Sequence, residues 1–111
     1  MTTPRRGEVW LANLNPVTGH EQGGTRPCLI MSADDYNGLP ISMTIVVPLT
    51  GRDRGLSHHI PIKGAGLDRP TVARPEDVRA ISTQRLHRQL GTARDDEVAA
   101  VAAVLRNFLE L

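Results

Sequence analysis

Between two apolar runs the chain reads Pro16-Val17-Thr18-Gly19-His20-Glu21-Gln22-Gly23-Gly24-Thr25-Arg26-Pro27. Ordering a polar loop of this length costs conformational entropy, so its presence in a small domain implies a use. The residue types fit a phosphate. An arginine can fork onto phosphate oxygens, glycines let backbone N–H groups approach an anion, and a histidine can move a proton near neutral pH. Arg26 is the leading candidate for phosphate contact, with His20, Glu21, Gln22, Gly23 and Gly24 around it. Chemistry on a nucleic acid is the first expectation.

A second constellation lies at Thr71-Val72-Ala73-Arg74-Pro75-Glu76-Asp77. On an extended segment, positions 74 and 76 point to one side, so Arg74 and Glu76 would flank a single phosphate. Asp77 is the neighbouring carboxylate if the register differs by one. Arg52 and Arg54, in Arg52-Asp53-Arg54-Gly55, supply two more cations able to track a phosphate backbone. No carboxylate cluster is suited to catalytic magnesium, so a route without metal or other cofactor is expected. The lone Cys28 sits within Cys-Leu-Ile-Met and reads as a buried hydrophobe. His58 and His59 are adjacent, which on a strand sends them to opposite faces and gives no zinc spacing.

The elements that must hold these groups are short. The 111 residues fit one domain, 1–111, with one core. Strands are expected at Glu8–Leu11, Cys28–Ser32, Met43–Leu49, His58–Ile62, Thr71–Ala73 and Val78–Ile81. Pro48 should mark an edge or a bulge. Val98, Val101, Ala102, Leu105, Phe108 and Leu109 then recur at helical spacing, after acidic residues that suit a helix N-terminus, with Thr92 and Asp95 as the expected cap. Short strands followed by one helix predict a mostly β, small, partly open barrel with the helix packed on it. No apolar run approaches a membrane span and the N-terminus lacks a signal-peptide pattern, so a cytoplasmic location is expected. Net charge is +1, but the first 94 residues hold twelve basic and eight acidic side chains, a mildly basic body suited to a polyanion.

Taken in order, these residues resemble the PemK/MazF family of toxin endoribonucleases. Arg6-Gly7-Glu8-Val9-Trp10-Leu11 is similar to its first strand, and Gly19-His20-Glu21-Gln22-Gly23-Gly24-Thr25-Arg26-Pro27 to its signature loop. Val47-Pro48-Leu49-Thr50 resembles the end of its third strand, and Asp77-Val78-Arg79-Ala80-Ile81 the strand after its active site. The resemblance implies an SH3-like barrel related to the gyrase-poisoning CcdB toxins, a homodimer, and metal-independent cutting of single-stranded RNA at short sequences. It also implies an antitoxin partner whose flexible segment covers the RNA groove.

Residue by residue, it places a scissile-phosphate contact at Arg26 and an assisting histidine at His20. Arg74 and Glu76 stand where one branch has an arginine and an aspartate as acid and base; the glutamate departs from that pattern by a methylene. Thr50 stands where another branch pairs a threonine with the loop arginine. Arg52 and Arg54 fall in a loop that shapes the groove. Trp10 and Phe108 are expected in the packing, leaving base recognition to hydrogen bonds, and Arg79 and Arg85 are expected to be structural or interfacial rather than catalytic. Two rival readings remain: a non-catalytic barrel poison gripping a protein, and a nucleic-acid-binding module that does not cut.

Overall fold

A computed structural model describes residues 3–111. Seven strands form one curled antiparallel sheet: β1 Glu8–Asn13, β2 Thr25–Ile30, β3 Met43–Thr50, β4 Ile60–Ile62, β5 Thr71–Ala73, β6 Arg79–Ser82 and β7 Leu86–Thr92. Their order is β4-β5-β3-β2-β1-β7, with β6 also paired to β3. A short helix, α1 Asp34–Asn37, precedes β3, and α2 Asp95–Leu109 closes the chain.

β3 organises the sheet because it changes partner along its length. Its first half pairs with β6, from Met43 opposite Ser82 to Val46 opposite Arg79. Its end pairs with β5, Leu49 opposite Ala73 and Thr50 opposite Val72. Pro48 sits at the changeover, paired to Cys28 of β2, which is where a residue without an N–H is tolerated. The pairing of β2 with β3 stops there. The start of β2 continues against β1, Arg26 opposite Ala12, while β3 turns toward β5.

Alternation along the strands builds two apolar clusters. Val9, Leu29, Val47 and Leu49 join Ile62, Ala73 and Val101 of α2. Their neighbours Trp10, Ala12, Cys28, Ile30 and Val46 join Leu14, Ile81 and Leu86 on the other face. Trp10 is therefore a core residue, its Nε1 donating to Glu8 at 2.9 Å. Cys28 is fully buried, and burial pushes its thiol up to about 12 despite Arg79 nearby.

Several boundaries differ from those read in the sequence. β2 begins at Thr25 rather than Cys28, so Arg26 lies on a strand and not in the loop. β4 begins at Ile60, leaving His58 and His59 in the preceding turn. β7 is a seventh strand that was not anticipated: Leu-His-Arg-Gln-Leu lacks β-branched residues, and the strand is an edge paired only to β1. Phe108 is 47% exposed rather than packed in the core.

The cap of α2 is also not Thr92, which ends β7. The N-cap is Arg94, whose N–H donates to Glu97 Oε1 at 2.9 Å. Glu97 is buried, and its other oxygen accepts from the Lys63 N–H at 2.7 Å. One carboxylate thus ties the helix start to the segment after β4. Glu97→Ala would strip two backbone donors of their partner, an expected loss of about 2 kcal/mol in urea-denaturation stability.

Candidate active site

The separation of β2 from β3 beyond Cys28 and Pro48 opens a cleft of about 670 Å³. Arg26 stands on the β2 side and Thr50 on the β3 side. Gln22, Gly51, Arg52, Arg54, Leu56, His59, Arg69, Arg74 and Glu76 complete the wall. Five guanidinium groups against one carboxylate make it a cavity for a polyanion.

Arg26 is held by its Nε–H, which donates to the Gly23 carbonyl at 3.0 Å. Its terminal nitrogens make no hydrogen bond among the described residues and stay available for an anion. The glycines before it shape the loop rather than line the cleft. Gly24 has φ +78°, and a side chain at Gly23 would lie 2.7 Å from Val17 and 2.9 Å from Asn15. Asn15 accepts the Gly24 N–H at 3.0 Å. Arg79 and Arg85 clamp the loop base by donating to the carbonyls of Leu14, at 3.0 Å, and Asn13, at 3.1 Å. Both arginines thus make structural contacts with the loop.

Arg74 is fixed through its backbone, whose N–H donates to the Pro48 carbonyl at 2.9 Å. The chain then enters a 3₁₀ turn over Pro75–Asp77 instead of continuing extended. Arg74 and Glu76 meet through this turn, not through strand alternation. Arg74 Nη1 donates to Gln22 Oε1, Nη2 lies 2.8 Å from Asp77 Oδ2, and Nε lies 3.5 Å from Glu76 Oε2. The contact with Asp77 is close but poorly aligned as a hydrogen bond, and the buried Nε has no aligned partner.

Glu76 is gripped by two histidines. His59 Nε2 is 2.8 Å from Oε2 and His58 Nε2 is 3.4 Å from Oε1. The expectation that these neighbours face apart is corrected: they lie in a turn closed by the His59 N–H to Leu56 carbonyl bond of 3.1 Å, where strand alternation does not apply. Burial raises the Glu76 pKa, but the His59 hydrogen bond and nearby positive charge outweigh it, and the net shift is downward. For Asp77 burial prevails over the charge of Arg74, and its pKa is raised.

The ligand atoms of His58, His59 and Glu76 lie within 4.8 Å of one another, a spacing compatible in principle with a transition metal. The fixed charge of Arg74 beside Glu76 opposes a dication there, so the His59–Glu76 contact is assigned as a hydrogen bond.

The remaining sequence candidates fall as follows. Thr50 is nearly buried, and its Oγ1 accepts from the Arg52 N–H at 3.2 Å. Arg52 and Arg54 are exposed at the mouth. Glu21 lies outside the cleft, in an adjoining depression that Gln22 and Glu76 share. His20 is exposed on the loop, and the structure does not bring it to Arg26, Arg74 and Glu76. Sequence reasoning missed Arg69, Leu56 and His59. The His58-His59 pair was a visible signal for the last; nothing local marked the other two.

A model of the PemK-like, MazF-like toxins of type II toxin–antitoxin systems matches residues 5–109. The chain belongs to this family. It is 32% identical over 108 residues to the Endoribonuclease PemK of Escherichia coli, covering 90% of this chain and 80% of that protein. Its structure is similar to that of MazF from Deinococcus radiodurans, with a TM-score of 0.88 at 30% identity and complete coverage of both chains. It is also similar to a chain of the MazE–MazF complex from that organism, with a TM-score of 0.82 at 29% identity, covering 100% and 99%. Among the described residues no helix is long and apolar enough to cross a membrane.

The lowered Glu76 pKa carries a stability consequence. Its contribution is fully present above the usual glutamate value of 4.5 and is lost as pH falls through the lower folded-state value. Urea midpoints measured from pH 5 to pH 3 should therefore fall more steeply for the native chain than for Glu76→Gln.

Proposed function

We propose that this toxin is a metal-independent endoribonuclease that cuts single-stranded messenger RNA at short sequences and arrests growth when released from an antitoxin. The observation that carries the reading is the convergence of Arg26, Arg74 and Glu76 on one cleft. Family membership and the activity named for the Escherichia coli relative support the same conclusion.

With RNA in the cleft, the nucleophile is the substrate's own 2′-hydroxyl. Glu76, ionised at neutral pH, takes its proton as the oxygen attacks phosphorus. Arg26 and Arg74 neutralise the charge that builds on the phosphorane oxygens, and Thr50 adds a hydroxyl donor. The bond to the 5′ oxygen then breaks, that oxygen taking a proton from water in the open cleft while Arg74 balances its developing charge, and Glu76 returns its proton to the hydroxide so formed. The products are a 2′,3′-cyclic phosphate and a 5′-hydroxyl end. Arg74 acts by charge rather than as a proton donor, because a guanidinium scarcely deprotonates. Arg52 and Arg54 hold the flanking backbone, and Gln22 lines the path. His20 and Glu21, outside the cleft, contribute through the loop at most.

A homodimer and a cytoplasmic location accompany this reading. The cognate antitoxin would lay an extended acidic or apolar segment over the same groove. MazE–MazF is the assembly named for the Deinococcus protein.

Incubation of the purified chain with a long RNA in EDTA should yield 2′,3′-cyclic phosphate ends, while DNA of the same sequence stays intact. Uncut RNA at high protein concentration overturns the proposal in favour of a binding poison. Arg26→Ala and Arg74→Ala should each lower kcat by about 10²–10³-fold, as loss of a transition-state charge contact does. His20→Ala should cost less than either.

Replacing Arg52 and Arg54 together by alanine should mainly weaken RNA binding. It should also flatten the dependence of log K on log salt by about 1.4, the value for two single-strand phosphate contacts. Binding titrations from low to physiological salt check it.

A further inference from the structure

His59 is the buried residue of an otherwise exposed segment. Residues 51–57 are all exposed, yet the His59 side chain is only 3% exposed. Burying an imidazole is unfavourable unless it is hydrogen-bonded. Among the described residues its one bond runs from Nε2 to Glu76 Oε2 at 2.8 Å, and its Nδ1 has no partner. A proton on Nδ1 would be an unpaired buried donor, whereas a bare Nδ1 is only an unused acceptor. The orphaned atom therefore selects the tautomer with hydrogen on Nε2, so the imidazole donates to the carboxylate.

We propose that His59 is a positioning residue for the reaction, donating Nε2–H to Glu76 so that the carboxylate keeps one orientation beside Arg74 in the cleft. This rests on the reading of Glu76 as the base. The inference goes further by naming what aims that base. A free glutamate side chain samples several rotamers, whereas this one is held at Oε2 by the hydrogen bond. His58 approaches Oε1 from the other side at 3.4 Å, its ring edge-on to His59 at 4.7 Å between centroids. Phe108 of α2 backs His58 at 5.6 Å, which gives the exposed aromatic a place in the support.

The titratable and charged groups facing Glu76 are His58 and His59 from the turn before β4, and Arg74 and Asp77 around the 3₁₀ turn. The helix reaches this group through the uncharged Phe108, which contacts His58. The downward shift of Glu76 agrees with the arrangement, since the His59 hydrogen bond is the largest influence opposing burial.

The test uses the full chain as His59→Leu, His59→Gln and Glu76→Gln. Carbon-13 NMR follows the Glu76 carboxyl through its titration. Cleavage of a long RNA transcript, scored by 5′-hydroxyl ends, gives kcat and KM against pH. In His59→Leu the Glu76 titration should move to higher pH, and the acid limb of kcat should move with it. At mildly acidic pH kcat should fall on the order of tenfold, with KM within about twofold. His59→Gln, which keeps an N–H at similar reach, should restore most of both.

Unchanged Glu76 titration and an unchanged acid limb in His59→Leu overturn the inference. So does a His59→Gln variant as impaired as Glu76→Gln, the deciding comparison should His59→Leu fail to fold by circular dichroism. Full activity in Glu76→Gln would instead sink the assignment of the base, with the NMR titration still reporting the His59 contact.

Discussion

The active cleft depends on one hydrogen bond, from the Arg74 N–H to the carbonyl of Pro48. It forms where β3 leaves one set of partners for another, and it anchors the segment carrying Arg74, Glu76 and Asp77 to the most central strand. The same changeover parts β2 from β3, placing Arg26 on one side of an opening and Thr50 on the other. A strand shared by two halves of a curled sheet thus creates the cavity and fixes the residues in its walls. Side chains mounted on a sheet have little freedom, which suits a site that must present charge at a set distance from phosphorus.

Charge in the cleft is unbalanced by design of the surroundings rather than by count alone. Asp77 and Gln22 occupy the Arg74 guanidinium without saturating it, and Gly23 holds Arg26 through Nε while its outer nitrogens stay unbound. Both arginines are therefore oriented before substrate arrives, which lowers the ordering cost of binding. Glu76 is the exception in sign, and the His59 hydrogen bond with the Arg74 charge lowers its pKa without withdrawing it from the cavity. In the proposed reaction the duties separate: arginines neutralise charge, and the carboxylate handles the proton.

The loop from Leu14 to Gly24 has a different function from the one its composition first suggests. Its glycines permit tight closure against Asn15 and Val17 and do not touch the cleft. Arg79 and Arg85 pin its base. His20 and Glu21 ride on the outside, and only Gln22 reaches Arg74. The loop positions Arg26 and contributes one amide, and most of its polar residues are scaffolding.

Local pattern was enough for much of this. Alternating apolar residues in β1, β2 and β3, the helical stripe of α2, the burial of Cys28 and the choice of Arg26 and Arg74 as candidate cations all follow from residue type and spacing, because each reflects a neighbour within a few positions. Family likeness extended that to the barrel and to the reaction class. The edge strand β7 was invisible because its residues carry no strand preference and are recruited by β1. The grip of His58 and His59 on Glu76, and the place of Arg69 in the wall, join segments 7 to 18 or more residues apart through a 3₁₀ turn and a loop. Such contacts are set by where the sheet bends, and bending comes from the competition of three strands for β3. No short stretch of sequence records that competition, since its outcome exists only once all the strands are in place.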